Sequence, residues 1–210
     1  MEVLIPDGTP DQSQDGNKVV VKIIKWPRQR GKNAVGEIST VLGKAGTSDI
    51  EMKAILINQG FNLEFPDEVK RAADQLNDET KSEAEGGHRR DFRDVTTFTI
   101  DPETAKDFDD ALSYRRLDNG DIEVGIHIAD VTHYVPEGSA LDEEAYERAT
   151  SVYLVDRTLP MLPERLSNEL CSLRPGEDSC TFSAVFTFDP ESHKVKDRWF
   201  GKTLIHSTRR

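Results

Sequence analysis

Hydrophobic positions change period along this chain, and the change divides it. Up to about residue 65 the apolar positions come in short runs, VVVKII, EISTVL and MKAILI, with Gly31 and Gly36 flanking a hairpin-like break. Each run reads as a strand, and short strands at this spacing predict a small barrel of the OB or cold-shock type. At Pro66 the period lengthens. PDEVKRAADQL opens with proline in the first turn and sets Val69, Ala72, Ala73 and Leu76 on one face, which predicts a helix. Asn77 to His88 is polar, charged and ends in Gly86-Gly87, the composition of a linker. Beyond it, strands are predicted near 96–101, 110–117 and 121–131, with Asp118-Asn119-Gly120 as a hairpin turn between the last two. Helices follow near 141–149 and 163–170, then strands near 181–189 and 194–206. The mixture is α+β. The expected organisation is a barrel domain with a trailing helix over 1–76, a linker over 77–93, and an α+β domain over 94–210.

One segment does not fit a purely structural pattern. FTIDPETAKDFDDALSY holds Asp101, Asp107, Asp109 and Asp110 within ten residues, on a loop between two predicted strands. Carboxylates this dense raise one another's pKa and oppose compaction unless a cation lies among them. A solvated acidic turn is the bland alternative, but interleaved Phe, Ile, Ala and Leu argue against full exposure. A calcium loop of the EF-hand type needs Gly at its sixth position and a carboxylate at its twelfth. Counted from Asp101 these are Lys106 and Leu112, so that reading fails. Mg²⁺ or Mn²⁺ held by carboxylates, the arrangement of phosphoryl chemistry, remains.

Charge sharpens the picture. The 210 residues carry a net charge of −12, at first sight wrong for a nucleic-acid partner. Between Asp101 and Glu147 there are fourteen acidic and three basic residues, nearly the whole excess. Asn17 to Gly36 instead holds Lys18, Lys22, Lys25, Arg28, Arg30 and Lys32 and no acid. A further cluster, Arg89, Arg90 and Arg93, precedes the aspartate loop. This polarity suggests a polyanion entering over a basic module and ending at a metal-filled acidic site; the alternative is strand lysines and arginines that merely solvate one sheet face. Trp26, beside Pro27, is a candidate stacking platform for bases or else a core residue. His127 lies in an alternating strand without an obvious partner and reads as structural; His133 is unassigned. Cys171 and Cys180 are too few for a disulfide framework and read as buried thiols. No apolar run approaches 18 residues and there is no signal-peptide pattern, so the expectation is a soluble, unexported, cytoplasmic protein without a membrane partner.

The run TIDPETAKDFDDALS, then VGIHIADVTHYV, then ATSVYLVDRTLPMLPERLSNELCSLRPGEDSCTFSAVF closely resembles the catalytic domain of the ribonuclease II / ribonuclease R family. The blocks keep the family's order and span Asp94 to Phe188. The segment VLIPDGTPDQSQDGNKVVVKIIKWPRQRGKNAVGEISTVLG resembles, more loosely, the cold-shock domain that precedes it. The resemblance implies that Asp101, Asp107, Asp109 and Asp110 surround Mg²⁺ (or Mn²⁺) and the scissile phosphate, with Asp109 and Asp107 catalytic and Asp109 most tied to the chemical step. It implies that Tyr153 stacks on a base near the RNA 3′ end. With Trp26, the basic residues Lys22, Lys25, Arg28, Arg30 and Lys32 would then contact RNA.

The expected function is that of a monomeric 3′→5′ exoribonuclease hydrolysing single-stranded RNA processively to nucleoside 5′-monophosphates. The family's catalytic domain is longer and draws an arginine, a glutamate and an aromatic clamp partner from its later part, so these 210 residues are expected to be an inactive fragment. Two rivals stand beside this: a non-catalytic RNA-binding module, and an unrelated Mg²⁺-dependent phosphatase, which leaves YLVDRTLPMLPERLSNELCSL unexplained.

Overall fold

The computed structural model describes residues 2–6, 15–28, 32–77 and 87–210. They divide into two compact units, Met1–Glu64 and Phe65–Arg210.

In the first unit, β1 (Val3–Leu4), β2 (Asn17–Lys25) and β3 (Ala34–Lys44) form a sheet in the order β1-β3-β2. β2 and β3 run antiparallel, with register shifts between Lys18/Val19, Val20/Val21 and Ile23/Lys25, and β1 joins β3 in parallel. Such shifts bend and twist a strand pair. Gly36 is required where the strands approach closely, because a Cβ there would lie 2.5 Å from Val21 and 3.0 Å from the Lys22 carbonyl oxygen. Among the described residues these strands do not close a barrel. The third run, MKAILI, is not a strand. It lies inside α1 (Ser48–Asn58), which buries Ile50 and Leu56. Asp49 and Glu51 in the first turn favour the positive end of the helix, Lys53 pairs with Asp49 at i,i+4, and Glu51 pairs with Lys18 of β2. These local charges add to the helix preference of Met52, Lys53, Ala54 and Leu56.

The second unit is built on a six-stranded sheet in the order β4-β11-β10-β7-β6-β5. Its strands are β4 (Arg90–Asp91), β5 (Thr97–Phe98), β6 (Asp110–Arg116), β7 (Ile122–Ala129), β10 (Asp178–Phe188) and β11 (Val195–His206), all antiparallel except the β4/β11 pair. Gly120 takes a positive φ of 89° in the turn joining β6 to β7. The helix anticipated after Pro66 is α2 (Asp67–Asp74), but its contacts place it here and not behind the first domain. Its Val69 and Ala73 belong to the core formed by Phe92, Leu141, Leu166, Val185 and Ile205, and it packs against α4. Around it lie α3 (Val131–Tyr134), α4 (Ala140–Arg148), a small hairpin of β8 (Val152–Tyr153) and β9 (Thr158–Leu159), and a π-helical segment, Arg165–Leu170. The last is closed by an i→i+5 bond from Cys171 N to the Leu166 carbonyl, 2.9 Å. Most of the expected linker lies outside the described residues.

The sheet inverts the usual partition. The side of β7 facing the core carries Glu123, Gly125, His127 and Ala129, while Ile126 and Ile128 face outwards. The buried polar groups are satisfied by one another. His127 is bonded through Nδ1 to Ser183 Oγ at 2.6 Å and through Nε2 to Ser113 Oγ at 2.8 Å, and Thr181, Ser183 and Thr203 share hydroxyl contacts. Burial holds the imidazole down at about 4, against an opposing pull from Glu123, so it is neutral and structural. Cys171 and Cys180 are buried thiols, and burial pushes Cys171 up to about 12. Among the described residues, no helix is long and apolar enough to cross a membrane.

Candidate active site and nucleic-acid groove

The aspartate loop leaves β5 and re-enters the sheet at Asp110, the first residue of β6. Phe108 fixes its orientation. The ring is buried, while the flanking Asp107 and Asp109 remain accessible to solvent. The backbone is then pinned from two sides. Phe108 N donates to Ser172 Oγ (3.1 Å), Ser172 Oγ donates to the Lys106 carbonyl (2.8 Å), and Leu173 N donates to the Phe108 carbonyl (2.9 Å). From the other side Arg210 donates to the Pro102 carbonyl, and its guanidinium lies 5.0 Å from the centre of the Phe108 ring. Neither Ser172 nor Arg210 carries a sequence signal for this task, since each reaches the loop only through tertiary pairing.

Four carboxylates meet electrostatically as a result. Burial, and then the charges of Asp107, Asp110 and Asp101, raise the pKa of Asp109 above the usual carboxylate value. Asp101 turns its Oδ2 into the protein, where it is buried and has no hydrogen-bond partner among the described residues. Tyr153, on the β8–β9 hairpin, donates its hydroxyl to Asp107 Oδ2 at 2.8 Å, which pushes the phenol up to about 12. Asp101, Asp107, Asp109, Tyr153 and Thr158 line a cavity of about 370 Å³. Among the described residues, no three His, Cys, Asp or Glu side chains are close enough to hold a single ion as they stand. The donor set is nonetheless of the kind a hard divalent cation takes, all carboxylate oxygen, with one buried acceptor unpaired among the described residues and one carboxylate disfavoured by burial and by its neighbours.

In the first unit, Lys25, Trp26, Arg28 and Lys32 come together with Leu4, Pro27, Asn33 and Val35 around a groove of about 520 Å³. Trp26 is 63% exposed, which settles its choice between core and surface in favour of surface. Lys22 stands mid-strand opposite Glu37 and does not line the groove. Arg30 lies outside the described residues. The cluster before the aspartate loop is not a free basic patch. Arg89 is buried against Asp130 (2.8 Å), Arg90 pairs with Glu123 (2.8 Å) and Arg93 with Asp91 (2.6 Å). His133 is half-buried beside Tyr134, with its Nε2 buried and without a hydrogen-bond partner among the described residues.

A strand-rich unit with a basic aromatic groove, followed by an α+β unit with a carboxylate-lined cavity, is a two-part architecture that the comparisons identify. Residues 1–66 match the cold shock domain and residues 89–210 the RNB domain. The chain belongs to the RNB-domain family. It is 45% identical over 189 residues to a DIS3-like exonuclease 2 of Xenopus tropicalis, covering 90% of this chain and 22% of that protein. It is 43% identical over 188 residues to ribonuclease R of Thermotoga maritima, covering 89% and 26%. The chain therefore spans about a quarter of the length of these curated relatives. RNase R of Mycoplasma genitalium, solved with ribose-methylated single-stranded RNA, superposes with a TM-score of 0.89 at 30% identity, over 99% of this chain and 32% of that one. Yeast Ssd1, a pseudonuclease, superposes with a TM-score of 0.72 at 25% identity, over 99% and 27%.

Proposed function

We propose that this chain is part of a cytoplasmic, monomeric 3′→5′ exoribonuclease that hydrolyses single-stranded RNA processively to nucleoside 5′-monophosphates. The observation that carries this reading is a cavity lined by Asp101, Asp107 and Asp109 beside Tyr153 in an RNB-family chain, with the charge of Asp110 also acting on Asp109. Those four aspartates are the residues that would hold Mg²⁺ or Mn²⁺. Such an ion supplies charge stabilisation at the phosphate and a water of lowered pKa. Asp109 and Asp107 are the catalytic carboxylates, Asp109 the more critical because burial and the neighbouring charges disfavour its ionised form without a cation. Tyr153, 65% exposed, offers its ring to a base. Water attacks the last phosphodiester, the P–O3′ bond breaks, and the shortened RNA keeps a 3′-hydroxyl.

The test uses the natural full-length protein, a 5′-labelled single-stranded RNA and Mg²⁺. A ladder shortening from the 3′ end is expected. Asp109→Asn should cost at least about 10³-fold in rate while RNA affinity stays within about twofold, because the substitution removes charge from the cavity and leaves remote phosphate contacts intact. Intact RNA with the unsubstituted protein, or normal cleavage with Asp109→Asn, would sink the assignment. A second reading, RNA binding without cleavage, is favoured for the 210 residues alone by the carboxylates' failure to close on one ion. Incubating the chain by itself with the same RNA should leave it uncut.

A further inference from the structure

Tyr153 touches the acidic cavity in two ways. Its ring is largely exposed on the β8–β9 hairpin, whose next apolar residue but one, Val155, is almost wholly exposed. Its hydroxyl, at the far end of the same ring, donates to Asp107 Oδ2 at 2.8 Å across 46 residues of sequence. Among the described residues no other side chain donates a hydrogen bond to Asp107, whereas a carboxylate that must present a lone pair to a cation needs its rotation fixed. Asp101 and Asp109 border the same cavity, so an error in the angle of Asp107 is an error in the whole donor set.

We infer that Tyr153 is a positioning residue for the metal site: its hydroxyl orients Asp107, so that one side chain links a base on its ring to the geometry of the carboxylates. This rests on the proposed reading of the aspartate loop and adds to it a division of labour within one residue. The ring contributes to RNA affinity and the hydroxyl to metal affinity. A residue that only stacked on a base would be indifferent to loss of the hydroxyl.

The two roles separate by substitution. Mn²⁺ affinity of the 210-residue chain is measured by titration calorimetry for the unsubstituted protein, Asp107→Asn, Tyr153→Phe and Tyr153→Ala, and single-stranded RNA affinity is measured separately in EDTA. Tyr153→Phe is nearly isosteric at an exposed position, and an unchanged unfolding midpoint verifies that it folds. It should weaken Mn²⁺ binding about 10-fold, the usual size of an outer-shell loss, and leave RNA affinity in EDTA unaltered. Tyr153→Ala should weaken both. Tyr153→Phe with unchanged Mn²⁺ affinity, while Asp107→Asn loses it, overturns this inference and leaves the assignment of the loop standing. No Mn²⁺ binding by the unsubstituted chain, or binding indifferent to Asp107→Asn, overturns that assignment and the inference with it.

Discussion

Single residues in this molecule are placed by partners far away in sequence, and His127 shows the consequence most directly. It is fully buried between Ser113 and Ser183, on strands either side of its own. Gly125 makes the arrangement possible, since a Cβ there would collide with Ser113 Oγ and lie 2.6 Å from His127 Nε2. The folded-state pKa of about 4 lies below the usual histidine value of 6.5. Below pH 6.5 the unfolded chain therefore binds a proton that the folded chain refuses, and stability falls as pH drops from 6.5 towards 4. Between pH 7 and pH 4.5 the loss from this one group is on the order of 2–3 kcal/mol. Denaturant midpoints at the two pH values should show it, and His127→Gln, which cannot titrate, should show a smaller drop by that amount. An identical pH dependence in both proteins would mean that the imidazole is protonated inside the fold. The structural role of His127 was readable in the sequence from its place in an alternating strand. Its hydroxyl partners were not, because strand pairing brings them together and no local spacing encodes that pairing.

At the scale of elements, legibility followed how local the cause was. The β6–β7 hairpin, α2 and α4 lay close to their expected spans because turn residues, a first-turn proline and helical spacing are local signals. The run MKAILI failed as a strand because Met52, Lys53, Ala54 and Leu56 are good helix formers, and because Asp49, Glu51 and the distant Lys18, which support the helix by charge, lie outside the run. Arg89, Arg90 and Arg93 likewise read in sequence as a basic cluster, yet each is paired with a carboxylate, Asp130, Glu123 or Asp91. The aspartate loop itself was legible as a candidate site, while its contacts with Ser172, Arg210 and the Tyr153 hydroxyl were not. The groove of the first unit provides the test at this scale. Lys25, Arg28 and Lys32 line it beside an exposed Trp26. Each phosphate they neutralise on a single strand contributes about 0.7 to the slope of log K against log salt, so replacing all three by Ala should flatten that slope by about 2. Lys22→Ala, outside the groove, should leave it nearly unchanged. Equal effects of the two sets would mean that binding follows total charge and not this groove.

For the molecule as a whole, the most consequential feature is the outward face of the six-stranded sheet. Strand register puts Leu112, Ile126, Ala184 and Phe200 in one row across it, and Asp110, Ile128, Phe182 and Lys202 in the next. Ile126, Ile128, Phe182 and Phe200 are each more than a third exposed, and Phe200 meets Phe186 edge-on with ring centres 6.1 Å apart. Alternation along β7 correctly announced a strand, but a period of two cannot say which side goes inwards. The buried histidine and hydroxyl network decided that, leaving the more apolar side in water. A contiguous exposed surface of this kind binds hydrophobic dyes and promotes association. The native 210-residue chain should therefore enhance ANS fluorescence, and Ile128→Ser combined with Phe182→Ser should remove most of that signal. Both side chains are about half exposed in the fold, so the double variant should lose no more than about 1 kcal/mol of stability. An unaltered dye signal would place the apolar surface elsewhere, and a collapse of the unfolding midpoint would show that these residues belong to the core.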